Sequence, residues 1–141
     1  MSSDPHDLQR FLDAQASNYA DALAELRAGR KRSHWMWYVF PQYDGLGHSA
    51  MTRRYSIRSL GEAEAYLRHP ILGLRLMECA EAVLDVEGRS AHEIFGSPDD
   101  AKLRSSATLF SRVAPAGSVF HRILDRYFAG EPDGRTLELI T

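Results

Sequence analysis

The sequence predicts an all-α fold: one domain spanning 1–141, built as an irregular array of about seven mostly short helices. Three observations carry that expectation. Apolar residues recur at three- and four-residue spacing along most of the chain, whereas the alternation of a half-buried strand is nearly absent. Ten glycines and six prolines, with serines and aspartates beside them, cut the periodic stretches into short units. No repeat, low-complexity tract or linker divides the chain.

The elements follow in order. Asp4-Pro5 has the form of an N-cap followed by proline at the first helical position. Leu8, Phe11, Leu12 and Gln15 then keep helical spacing. Tyr19, Ala22, Leu23 and Leu26 form a second stripe, stopped by Gly29. Asn18 either caps a separate helix or marks a kink in one helix. Ser33 to Phe40 (SHWMWYVF) suits either a buried strand or a buried helical turn, and Pro41 ends both. Pro41 to Ser59 is expected to be a long, largely irregular loop. Ser59 caps 60–69, with Glu62 placed for a capping box. After Pro70 comes the strongest periodic stretch, Ile71, Leu74, Met77, Cys79, Ala80, Val83 and Leu84, ending near Gly88. Ser90 caps a short helix closed by Gly96. Ser97-Pro98-Asp99-Asp100 starts another, with acidic residues in its first turn. Val119, Phe120, Ile123, Leu124, Tyr127 and Phe128 form the last major helix, and Asp133 caps a final turn through Leu139.

Composition narrows the class. With 141 residues the chain can bury roughly 65–70% of its unfolded surface, enough for a core without staples. Hydrophobic residues at 44% and charged residues at 26% are ordinary for a globular domain. A net charge of −2 places a nucleic-acid partner low, although a local basic patch is compatible with it. The lone Cys79 permits no internal disulfide. The opening segment MSSDPHDLQRF reads as neither signal nor transit peptide. No run of about 18 apolar residues suggests a membrane span. The expected location is cytoplasmic.

The segment RKRSHWMWYVFPQ, Arg30 to Gln42, is the most unusual feature. Arg27, Arg30, Lys31 and Arg32 suit a helix C-terminus, where cations meet the dipole. They equally suit an anion site, because guanidinium forks match phosphate and carboxylate. Both tryptophans follow, Trp35 and Trp37. On a helix they point about 200° apart, and on a strand they share a face. They are either a core plug or a platform for a planar ligand. Gln42, Tyr43 and the Gly45–Gly47 pair, with His48 and Ser49, could line a pocket, though no GxGxxG follows. Lys102, Ser105 and Ser106 share a helix face from which Arg104 diverges. The ligand-binding candidates are therefore Arg30, Lys31, Arg32, His34, Trp35, Trp37, Gln42, Tyr43, Lys102, Arg104 and Ser105. His34 and His48 are the acid–base candidates. The six histidines lack metal spacing, so no metal site is expected. No P-loop or nucleophile elbow is present. Cys79, on an apolar face, reads as an inert thiol. No cofactor is indicated.

The runs DLQRFLDAQ, ALAELRAGRKRSHWMWYVFPQYDGLG, EAEAYLRHPILGLRLMEC and IFGSPDDAKLRSS resemble a bacterial and fungal family carried as domain of unknown function eighteen-ten. Some of its members bear the label calpastatin, a misattribution. The resemblance covers residues 7–139 and implies an all-helical, multihelical array. It implies no activity. Phenylalanine commonly stands in that family where this chain has Tyr38. Two functions are thus expected. One is a helical domain binding a small anionic or nucleotide-like ligand at a basic/aromatic site. The alternative is a non-catalytic protein-interaction or scaffold domain, with self-association open.

Overall fold

The computed structural model describes residues 3–141. Met1 and Ser2, which begin the segment read as carrying no leader, lie outside the described residues. Ten helices are found among the described residues. They are α1 (Gln9–Gln15), α2 (Tyr19–Arg27), α3 (Met36–Val39), α4 (Ala50–Arg54), α5 (Leu60–Arg68), α6 (Leu72–Asp85), α7 (Ala91–Phe95), α8 (Asp99–Ser111), α9 (Val119–Phe128) and α10 (Gly134–Ile140). Seven of them have at least seven residues. The expected count of about seven is therefore corrected upward. The extra elements are α3 and α4, short turns inside stretches read as ambiguous or irregular, and α10, read only as a final turn. No helix here is long and apolar enough to cross a membrane among the described residues.

Local chemistry explains most boundaries. Ser59 accepts the Glu62 N–H and opens α5. Ser90 and Glu93 form a reciprocal capping box at α7. Asp133 accepts the Thr136 N–H at the start of α10. Asp4-Pro5 does not begin a helix. The Asp4 carboxylate instead accepts the N–H groups of Leu8 (2.8 Å) and Gln9 (2.9 Å), closing a turn before α1. Asp7 within that turn takes a left-handed φ of 51°. The SHWMWYVF segment is a helical turn, α3. Pro41 to Ser59 is less irregular than expected: Ser49 caps α4, and an isolated parallel bridge joins Tyr43 to Ile57.

The buried faces meet in one core. A row of rings runs from Tyr55 through Phe11, Tyr66 and Phe110 to Phe120, with neighbouring centroids 5.0–5.8 Å apart. α8 lies at its centre, packed by α5, α7, α9 and α10 and buried continuously from Ser105 to Phe110. In α6 the expected stripe is split. Cys79, Ala80, Val83 and Leu84 are buried as expected, together with Leu72 and Leu76. Ile71, Leu74 and Met77 face out, at 44%, 61% and 36% exposure. The small Gly73 is buried in their place because α5 passes over it. Burial pushes the Cys79 thiol up to about 12, which leaves it unreactive near neutral pH.

Candidate functional site

The basic/aromatic segment is organised by a residue that the sequence did not single out. Glu25, near the end of α2, accepts the N–H of Arg32 (2.7 Å), the N–H of Ser33 (3.0 Å) and the indole N–H of Trp35 (3.0 Å) on one oxygen. Its other oxygen accepts the Ser33 hydroxyl (2.5 Å). The carboxylate thus folds the chain back after Gly29 and satisfies the indole of a tryptophan only 1% exposed. Burial alone would raise the Glu25 carboxyl. The Ser33 hydroxyl, the Arg32 N–H, the indole and the Ser33 N–H outweigh it and bring the pKa down to about 2.

A carboxyl depressed in this way stabilises the fold only while ionised. Its contribution is complete above about pH 4.5 and is lost as the pH falls toward about 2. Glu25→Gln is expected to lower neutral-pH stability by roughly 1–3 kcal/mol and to flatten the acid limb of the stability profile. Urea midpoints measured from pH 7 to pH 2 check this. An acid limb identical to that of the unsubstituted chain would refute the role.

The other predicted residues divide into groups. Lys31 Nζ, its side chain 7% exposed, pairs with Asp99 (2.8 Å), donates to the Ser33 carbonyl (2.6 Å) and lies 5.0 Å from the Trp35 ring. Lys102 Nζ is 3.6 Å from the same Asp99 and 5.4 Å from the half-buried Trp37 ring. Lys31, Trp35, Trp37 and Lys102 therefore do come together, with Asp99 between the two ammonium groups. Arg30, Arg32 and His34 are exposed on the rim. Arg104 turns away, donating to the Glu131 carbonyl (2.9 Å) over Phe128. The Ser105 hydroxyl is spent on the Ala101 carbonyl (3.1 Å). Gln42 and Tyr43 lie on the bridge to Ile57, with the Tyr43 hydroxyl donating to the Arg58 carbonyl (3.2 Å). His48 is exposed beside the α4 cap. The glycines serve packing: a Cβ on Gly47 would lie 2.7 Å from the Thr52 methyl, and one on Gly45 would lie 3.2 Å from Leu139.

A second concentration of charge lies elsewhere. A cleft of about 460 Å³ opens between the turn preceding α1 and the α4–α5 segment. Pro5, His6 and Asp7 form one wall, and Arg54, Arg58 and Ser59 the other. Arg10 and Glu62, 2.7 Å apart and only 10% and 5% exposed, form the floor. Arg10 directs all five donors inward. Nη1 donates to the His6 (2.7 Å) and Asp7 (2.8 Å) carbonyls, and Nε to the Arg54 carbonyl (2.8 Å). Nη2 donates to the Ser56 carbonyl (2.8 Å) and to Glu62. One guanidinium therefore ties the two walls together from below. Glu62 adds a bond from the Arg58 N–H (3.2 Å), so the second half of the expected capping box is diverted into this floor.

The wall arginines are differently placed. Arg54 lines the cleft with its Nε donating to the Tyr55 hydroxyl (3.3 Å), and no protein acceptor is found for its two terminal nitrogens among the described residues. Among the described residues, no side-chain partner is found for the Arg58 guanidinium, the His6 ring or the Asp7 carboxylate. Sequence reasoning passed over these groups. The available signal was three arginines within six residues, Arg53, Arg54 and Arg58, in a stretch rich in breaks rather than on a long helix. No group of three or more metal-binding side chains occurs among the described residues.

The comparisons with known proteins follow the fold closely. A family model described as a protein of unknown function (DUF1810) matches residues 5–140. The crystal structure of a conserved hypothetical protein from Mycobacterium tuberculosis is 55% identical, with a TM-score of 0.95. The match covers 97% of this chain and 98% of that one. No curated protein matches the chain.

Proposed function

Because the chain belongs to the DUF1810 family, whose description names no activity, we propose from geometry that it binds a small anionic ligand in the cleft between the turn before α1 and the α4–α5 segment. The observation that carries this reading is the pair of guanidiniums, Arg54 and Arg58, lining a cleft whose floor cation is already neutralised by Glu62. Arginine forks match phosphate and carboxylate oxygens, and each charged hydrogen bond contributes roughly 1.5–3 kcal/mol. A volume of about 460 Å³ falls within the usual range for metabolite sites. At the basic/aromatic corner, by contrast, Asp99 already occupies both lysines, which disfavours it as the primary anion contact.

Calorimetric titration with inorganic phosphate tests the reading. The chain is expected to bind phosphate, and Arg54→Ala and Arg58→Ala are each expected to weaken that binding at least about tenfold, or about 1.4 kcal/mol. Affinity should also fall as salt is raised. Absence of phosphate binding, or variants that bind like the parent, would overturn it.

A second reading, the interaction domain, is favoured by one specific observation. Ile71, Leu74 and Met77 lie exposed beside an apolar groove lined by Leu67, Pro115 and Phe120. Light scattering on the same samples separates the two readings, because anion binding does not require association.

A further inference from the structure

Resting on that anion reading, we propose that the ligand is a phosphorylated sugar, its phosphate held by Arg54 and Arg58 and its hydroxyls by Asp7. The argument starts from the segregation of the two walls. The α4–α5 wall presents donors: two guanidiniums and the Ser59 hydroxyl. The Ser59 oxygen accepts the Glu62 N–H (3.0 Å), and no protein acceptor is found for its hydroxyl proton among the described residues. The opposite wall presents the Asp7 carboxylate, which only accepts, together with His6. A ligand satisfying both walls must be anionic at one end and must donate hydrogen bonds from the other.

A carboxylate in an anion site needs a reason, since it opposes the charge that the site attracts. Closing an ion pair across the cleft is not that reason. Among the described residues, Asp7 forms no salt bridge with Arg54 or Arg58. Its placement is nevertheless enforced. A left-handed φ of 51° is unfavourable for a residue with a side chain, though aspartate and asparagine tolerate it best. The turn is held by the Asp4 carboxylate on the Leu8 and Gln9 N–H groups, and by Arg10 on the Asp7 carbonyl. A fixed carboxylate facing vicinal hydroxyls is the means by which nucleotide-binding folds recognise ribose.

Size and acceptor number then select within the class. The cleft has room for about fifteen waters at ~30 Å³ each, far more than an isolated phosphate displaces. Asp7 leaves the two walls with one net positive charge, so the selecting feature is acceptor number: the three terminal oxygens of a phosphate can meet both guanidinium forks, whereas a single carboxylate fills one. This disfavours an amino acid, which otherwise meets the same anion-and-donor rule.

Ribose 5-phosphate, inorganic phosphate and glutamate, titrated into the parent chain and into Asp7→Asn, decide the matter. Asparagine tolerates the left-handed backbone, so the turn is retained. Ribose 5-phosphate is expected to bind the parent at least tenfold tighter than phosphate. In Asp7→Asn that preference should fall below about threefold, while phosphate itself binds as well or better. Equal binding of the two phosphates would overturn the sugar assignment and leave the anion reading standing. So would an unchanged preference in Asp7→Asn, or a preference for glutamate. Failure of all three probes would instead remove the anion reading itself.

Discussion

Gly73→Ala is expected to destabilise the fold by about 3 kcal/mol, although helix propensity alone predicts the opposite sign. Alanine is the better helix former by roughly 1 kcal/mol, and Gly73 lies in the first turns of α6. A Cβ at this position, however, would sit 2.0 Å from the Leu67 carbonyl oxygen and 2.9 Å from its carbon. Both atoms are backbone of α5, so no side-chain rotation relieves the contact. Either α5 and α6 separate or the His69–Pro70 connection distorts. Overpacking against side chains typically costs about 1–3 kcal/mol, and a contact with fixed backbone belongs at or beyond the top of that range. Gly61→Ala is the control. It lies exposed on α5, where the nearest atom to an added Cβ is the Ser59 hydroxyl at 3.7 Å. That substitution should stabilise by up to about 1 kcal/mol. Denaturant midpoints for the two variants should therefore move in opposite directions. A Gly73→Ala midpoint at or above that of the parent would show that α5 and α6 are not in backbone contact.

This contact illustrates which parts of the molecule were legible in the sequence. Caps act over three residues, so Ser59, Ser90 and Asp133 announced α5, α7 and α10 correctly. The helical periods were legible for the same reason, because an amphipathic stripe is a local pattern. Which apolar residues of α6 face inward was not. Ile71, Leu74 and Met77 are as apolar as the buried positions, and the choice was made by α5 lying across Gly73. Asp4-Pro5 had the form of a helix start, but the carboxylate bonds N–H groups four and five residues on and builds a turn instead.

The candidate sites follow the same rule. The meeting of Lys31, Trp35, Trp37 and Lys102 was anticipated from side-chain chemistry. Asp99, which brings the two lysines together, was read only as part of a helix start. Glu25 binds residues seven to ten positions ahead, beyond the reach of a capping pattern. The arginine cleft was hidden most completely. Its floor joins Arg10 to groups 44, 46 and 52 residues away, a relation with no local signature.

Arg10→Met is expected to be the most damaging single change at a charged position, costing about 3–5 kcal/mol. Removing one partner of a buried pair leaves the other charge uncompensated, and Glu62 is only 5% exposed. The loss here extends beyond the pair. Four carbonyls, those of His6, Asp7, Arg54 and Ser56, lose a guanidinium donor at the same time, although Asp7 keeps the Arg10 backbone N–H. Arg10→Lys should recover less than half of the loss. Its three donors radiate from one nitrogen and cannot span acceptors arranged around a planar fork. The double variant Arg10→Met/Glu62→Leu separates the two contributions. An isolated buried pair replaced by apolar residues is often neutral or better. With the part-buried His6 and Ser56 carbonyls still without their donor, the double variant should instead remain destabilised by about 2 kcal/mol, since each such hydrogen bond contributes roughly 0.5–1.5 kcal/mol. Phosphate affinity of the double variant supplies an independent readout at temperatures where it is folded. Arg10 spends every donor on the protein, so weakened binding in the double variant, where Glu62 no longer adds an unpaired negative charge to the floor, reports the two walls moving apart rather than a lost ligand contact. Full recovery of stability in the double variant would reduce the five-donor tie to an ordinary ion pair. The preformed cleft, and with it the placement of Asp7 opposite Arg54 and Arg58, would then need another cause.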